Sequence, residues 1–332
     1  MASSAAPPSG SASVPNRFVF VWDDRFFPYT AYLAIRSVAR RAAPESIVLL
    51  KTPDLDGVPN FERLRREVEC LRPVDIDLPA WLEQADLPCS DQLLAAHSFL
   101  KQRNFHSSVS DLLRTLFLHL HGGIYLDTDT IALRPFLPLL GSGGFVAEEH
   151  ILVDSRTYRQ GSRLRYWRTA PLTLARDICS RFGWGVGVFQ LIAPLYRRAI
   201  HNATMGFHPR HPLTRDILLR FAERYPDRPK RYSLLGPDII QDLLSEKRYE
   251  DLEVLPPRCF SPLGPVMTFQ YFHVRPERIV NRLQRRLMCD DTYAIHWSNN
   301  GTIAKVVPKD DGDLRRLADR QLFSRLAAPA VF

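Results

Sequence analysis

The stretch Ser110–Phe136, SDLLRTLFLHLHGGIYLDTDTIALRPF, decides how the rest of the chain reads. Leu113, Leu116, Phe117 and Leu120 recur at helical spacing, and Ser110 or Asp111 stands where a side chain caps a helix start. Gly122 and Gly123 end that helix, because glycine accepts the left-handed cap. Ile124–Leu126 is then a short strand with Asp127, Thr128 and Asp129 at its carboxyl end. Open α/β sheets bind their ligands at that end.

Working outward, the flanking sequence supplies the sheet this strand needs. Phe18–Trp22 is a continuous apolar run, as expected of a buried parallel strand. From Tyr29 to Ala43 apolar residues at Tyr32, Leu33, Ile35, Val38 and Ala39 predict a helix that stops at Pro44. Ile47–Leu50 and Val74–Ile76 predict two further strands, so the first part is built of βαβ units. Beyond Ser142 the segments shorten and become rich in Pro, Arg and aromatic residues. Strands are expected near Phe145, over Ala203–Phe207 and over Tyr293–Trp297, with helices over Leu213–Arg224 and Asp238–Leu244. The fold class is α/β, a mostly parallel central sheet flanked by helices. Residues 1–16 read as a disordered tail, and residues 17–140 and 141–332 as two halves of one domain.

Asp127 and Asp129 share one face of an extended chain, since successive side chains alternate. Two carboxylates so close are costly unless a cation neutralises them, and a hard divalent ion bridging a diphosphate meets that need.

The 332 residues are 45% apolar and 24% charged, which excludes a largely disordered chain. A net charge of +8 favours anionic partners such as nucleotide phosphates or an anionic membrane surface. Nucleic acid is not expected as a partner, because the basic residues are dispersed and no recognition motif accompanies them. Five cysteines, odd in number and without CxxC spacing, read as free thiols of a reducing compartment. No signal peptide and no 18-residue apolar run is seen, so a cytoplasmic location, peripheral at a membrane surface, is the expectation. The Asn-x-Thr sequons at Asn202 and Asn300 are too common to oppose it.

The segment SDLLR…GGIYLDTD resembles the DXD sugar signature of glycosyltransferase family 32, shared more distantly with the glucosylating clostridial toxins. Further on, LLGPDIIQDLL, VLPPRCFSPL and TYAIHWSNNGT resemble, in that order, stretches of the animal α1,4-galactosyltransferases and α1,4-N-acetylglucosaminyltransferases. The resemblance implies a GT-A fold, a UDP-sugar donor, Mn²⁺ or Mg²⁺, and retention of anomeric configuration. It implies metal coordination by Asp129, with Asp127 serving the ribose, the sugar and the metal shell. Asp111 and Arg114, at i and i+3 on a helix face other than the apolar one, would look toward the donor sugar, and Trp22 would stack on the uracil. His296 would be a late ligand of metal or diphosphate, joined by Ser298 and Asn299. Asn202 and Asp238 would lie on the acceptor side, while His119 and His121 read as structural.

The implied reaction moves a hexose (galactose, N-acetylglucosamine or glucose) from a UDP-sugar to a glycan or glycolipid. Toxin-like transfer to a protein and a non-catalytic nucleotide-sugar binding protein are the alternatives. The chain lacks the membrane anchor and the secreted disulfide pattern of the animal enzymes, which leaves compartment and acceptor open.

Overall fold

The structure is a computed structural model, which describes residues 12–51, 55–151, 163–182, 184–225, 236–298 and 303–332. The first half runs β1 (Arg17–Trp22), α1 (Tyr29–Arg41), β2 (Ser46–Lys51), α2 (Pro59–Glu67), β3 (Leu71–Asp75), α3 (Leu78–Ala85), α4 (Ser90–Gln102), α5 (His106–His121) and β4 (Gly123–Leu126). Then follow β5 (Thr130–Ala132), β6 (Gly144–Ile151), α6 (Arg163–Arg181), α7 (Gly185–Ile192), β7 (Arg197–Phe207), α8 (Pro212–Arg224) and α9 (Pro237–Glu246). The chain ends with β8 (Leu252–Leu255), α10 (Gly264–Met267), α11 (Glu277–Leu287), β9 (Ala294–His296), α12 (Asp311–Leu317) and α13 (Leu322–Ala327).

Seven strands form one sheet in the order β3-β2-β1-β4-β7-β6-β8, while β5 and β9 pair separately. β3, β2, β1 and β4 are mutually parallel, β7 runs antiparallel to both β4 and β6, and β8 returns parallel to β6. The sheet is thus mostly parallel and takes strands from both halves of the chain. Side-chain alternation splits the core. Phe18, Phe20, Ile47, Leu49, Ile124 and Leu126 point to the face covered by α1 and α2. Val19, Val21, Val48, Leu50 and Tyr125 point to the face covered by α3, α4, α5, α8 and α9. Each fully buried side chain of this size contributes about 1.5–3 kcal/mol, so a strand apolar on both faces is held without a solvent side.

Three expectations are corrected. α5 begins at His106, not at Ser110, so Ser110 and Asp111 lie inside the helix and neither caps it. The third strand starts at Leu71, before the apolar run at Val74. Val14 is buried and its N–H bonds the Leu140 carbonyl, so the ordered chain reaches back into the expected tail.

The glycine pair that ends α5 is explained by geometry other than the left-handed cap. Gly122 has φ 66° and ψ −174°, a region open essentially to glycine alone, and Gly123 has φ 118°. A Cβ at 122 would stand 2.8 Å from the Phe207 carbonyl, and one at 123 would stand 2.7 Å from that of Arg17. Glycine lets the helix turn directly into the middle of the sheet, which fixes where β4 ends.

Candidate active site

A cleft of about 300 Å³ opens at the carboxyl ends of β1 and β4, lined among others by Trp22, Ser110, Arg114, Tyr125, Asp127 and Asp129. Asp127 leaves β4 and Thr130 opens β5, so the two aspartates sit on a turn and not on an extended strand. Their convergence therefore comes from the turn, correcting the alternation argument. The Thr130 hydroxyl and N–H both bond the Asp127 carbonyl, at 2.7 and 3.2 Å, and the Asp127 N–H bonds the Ala203 carbonyl at 2.9 Å.

Arg114 is the organising cation. It is 4% exposed and its guanidinium lies 3.1 Å from Asp111 and 3.1 Å from Asp127. It also donates to the Asn202 carbonyl at 2.7 Å and to the Ser110 carbonyl and hydroxyl, with the Tyr125 ring face 4.2 Å away. Asn202 donates its amide to Asp111 at 2.6 Å. Asp111 and Arg114 thus share a buried polar face of α5. Burial pushes the Asp111 carboxyl up to about 6, with Arg114 offsetting part of the effect.

β7 reaches this helix through a bulge. Val146 pairs with Met205 but Ala147 pairs with His201, so residues 202–204 bow out of the β6 ladder. That bow carries Asn202 to Asp111. Gly236, at the start of α9, packs on the same pair; a Cβ there would lie 2.5 Å from Asp111 and 2.6 Å from Asn202. Asp238, two residues on, is partly buried and is not among the residues lining the cleft.

Asp129 meets His296 because β5 and β9 pair in the register Thr130↔His296, and the Trp297 N–H bonds the Asp129 carbonyl at 3.1 Å. His296 Nε2 lies 3.2 Å from the Asp129 carboxylate. Burial lowers its pKa, but Asp129, Asp127 and Glu149 together outweigh burial and push it up to about 9. One ligand atom from each of Asp127, Asp129 and His296 falls within 4.8 Å of the others. Two hard oxygens and an imidazole nitrogen at this spacing fit a divalent cation, which would displace the His296 proton. Ser298 follows in the left-handed region at φ 42°, and Asn299 lies outside the described residues.

Trp22 is fixed at the cleft by an Nε1–H bond to the Phe26 carbonyl at 3.0 Å and an edge contact with Phe27. His119 bonds the Thr214 hydroxyl at 3.0 Å within the core, a structural role. All five cysteines are free.

Sequence reading missed three residues. The Tyr125 hydroxyl donates to Asp127 at 2.5 Å, so the strand side chain next to the aspartates orients one of them. Glu149 on β6 and His201 on β7 bring ligand atoms within 4.8 Å of His296. Burial pushes Glu149 up to about 7 and His201 down to about 3. Only the strand pairing reveals them, since Ala147↔His201 and Glu149↔Ala199 put both on one face.

Residues 33–146 match the family described as the glycosyltransferase sugar-binding region containing a DXD motif. No curated protein matches the chain. Among solved structures, the PaToxG glycosyltransferase is 17% identical, with 71% of this chain and 70% of that one covered and a TM-score of 0.47. Mouse xyloside xylosyltransferase 1 is 14% identical over 86% and 98% of the two chains, with a TM-score of 0.45. The galactosyltransferase LgtC, solved with donor and acceptor sugar analogues, is 13% identical over 95% and 96%, also at 0.45. The matched region contains α5, β4 and the Asp127–Asp129 turn, and it sits in a mostly parallel seven-stranded sheet flanked by helices. Over residues 33–146 the chain therefore carries the DXD-containing sugar-binding region of glycosyltransferases, set in a mostly parallel seven-stranded sheet.

Proposed function

We propose that the chain is a retaining, Mn²⁺-dependent enzyme that transfers a hexose from a UDP-sugar to a glycan or glycolipid acceptor. The observation that carries this reading is the convergence of Asp127, Asp129 and His296 within 4.8 Å at a cleft that also holds a fixed tryptophan. A bound divalent cation would supply charge stabilisation to the departing diphosphate. Trp22 offers a flat apolar face for the uracil. Arg114 holds Asp111 and Asp127 in place while presenting positive charge to the cleft, and Tyr125 fixes the orientation of the Asp127 carboxylate. Asp111, braced by Asn202, is positioned to accept hydrogen bonds from sugar hydroxyls. The acceptor would enter from the side of β6 and β7, near Asn202 and Asp238. Among the described residues no carboxylate pair stands out as a double-displacement nucleophile and acid, so front-face attack, with the leaving phosphate taking the acceptor proton, is the route consistent with retention.

The test is donor hydrolysis without acceptor, using UDP-galactose, UDP-N-acetylglucosamine and UDP-glucose with Mn²⁺ or EDTA. One sugar should release UDP only with metal, and Asp129→Ala should lower that release at least about 100-fold, the scale of losing one transition-state contact. Release indifferent to both EDTA and the substitution would sink the proposal.

A further inference from the structure

Between β6 and β7 the chain inserts α6 and α7, and their outer surface is unlike the rest of the molecule. Leu174, Ile178 and Phe182 follow at intervals of four and are exposed. Trp184, Val188, Leu191 and Leu195 continue with intervals of four, three and four, and are exposed too, Leu191 at 76% and Leu195 at 67%. These spacings put one apolar stripe on the solvent side of each helix. The opposite sides are already used: Cys179, Val186 and Phe189 are buried in the core. The stripe is rigidly presented, because the buried Gln270 amide donates to the carbonyls of Cys179, Ser180 and Phe182 at the end of α6, and Phe182 stacks on Trp184 at 5.4 Å.

The sequence of this insertion is basic: residues 163–198 contain seven arginines and one acidic residue, Asp177, which is paired with Arg176 at 2.7 Å, and Glu148 on β6 is paired with Arg198 at 3.4 Å. Arg181, Arg197 and Arg198 are exposed, and Arg286 of α11 approaches Gly187 from the side. A stripe of Leu, Ile, Phe and Trp flanked by arginines is the chemistry of a helix lying in a membrane interface: aromatic and aliphatic groups enter the acyl boundary, while guanidinium groups meet lipid phosphates. A protein partner would need acidic groups all around an apolar centre, whereas an anionic bilayer supplies both at once.

Location strengthens the case. β7 is antiparallel to β4, so Ile151 and Arg197, which flank the insertion carrying α6 and α7, lie at the sheet end where Asp127 leaves β4. We propose that α6 and α7 dock the enzyme on an anionic lipid bilayer, in the interfacial plane and without crossing it, at the end of the molecule that holds the cleft. The choice of glycolipid as acceptor, made above, gives this docking its use; the docking itself depends only on the surface.

The experiment is sedimentation with vesicles of phosphatidylcholine alone or with 30% phosphatidylglycerol, at low and at high salt. Wild type should bind the anionic vesicles at low salt, with a blue shift of Trp184 emission that Trp184→Phe removes. Arg181→Glu should weaken binding at least about fivefold, the scale of one basic residue at such a surface. Leu191→Glu, at a position 76% exposed, should weaken it at least tenfold while leaving Mn²⁺-dependent UDP release intact, which separates failure of docking from failure of the enzymatic reading. Absence of anionic-vesicle binding, or binding that Leu191→Glu leaves unchanged, overturns the proposal. So does a dimer in vesicle-free buffer that Leu191→Glu splits, which would assign the stripe to a second copy of the chain.

Discussion

Arg114 holds two carboxylates, a backbone carbonyl and a serine with one planar fork, and a lysine would keep its charge while losing that geometry. Arg114→Lys is expected to destabilise the fold by about 2 kcal/mol, because Asp111 and the Asn202 carbonyl are left short of partners in a buried place. Urea midpoints measure this, and metal-dependent UDP affinity should fall in parallel as Asp127 loses its brace. Unchanged affinity would remove Arg114 from the donor site. At this scale the sequence pointed to Asp127 and Asp129 through their place after an apolar strand, and to Asp111, Arg114 and His296 through the family resemblance. It was uninformative for Tyr125, which reads as an ordinary strand residue until its hydroxyl is seen on Asp127. Glu149 and His201 are 52 positions apart in sequence and meet only through the register of β6 and β7.

Elements place those residues, and the most exacting placement is the start of α9 against α5. Gly236 leaves no room for a Cβ between Asp111 and Asn202. Gly236→Ala must therefore push apart a hydrogen bond of 2.6 Å without touching the apolar core. The expected outcome is a nearly unchanged melting temperature with UDP-sugar turnover reduced about tenfold or more, since misplacement by an ångström costs on that order or beyond. A large fall in thermal stability with normal turnover would show that Gly236 serves packing alone. The Gly-Pro start of α9 was legible in the sequence, because proline is tolerated in a first turn. Its contact with α5 was not, for the bulge at residues 202–204 that carries Asn202 across is set by the pairing of three strands. Helix starts were misjudged for a related reason: α5 opens at His106 with no side-chain cap, its first turn being held by burial of Ser108 and Val109.

Across the whole molecule, the first and last parts of the chain are fastened by one ionic network. Arg63 of α2 grips Asp311 of α12 with two bonds of 2.9 and 2.8 Å, and also bonds Glu67 at 2.8 Å. Tyr29 and Tyr32 of α1 donate to Asp311 and Glu67 at 2.7 and 2.6 Å. Hydrogen bonding by Arg63 holds the Asp311 carboxyl below its usual range. Burial of Glu67 acts the other way, yet bonds from Arg63 and Tyr32 outweigh it and hold that carboxyl low as well. Groups depressed in the folded state bind fewer protons folded than unfolded, so their stabilisation is present above the unfolded values, 3.8 for Asp and 4.5 for Glu, and is lost as pH falls further. Asp311 is partly exposed, so solvent screening limits its share to about 1 kcal/mol. Asp311→Asn should therefore be less stable than wild type by that amount at pH 7, and the gap should close as the pH is lowered from about 4 toward 3. Urea titrations of both proteins across pH 3 to 7 measure it. A gap that stays constant through this range would mean that Asp311 acts through packing and not through its charge, and the closure of the fold by α12 would then rest on Leu314 and the apolar face beneath it.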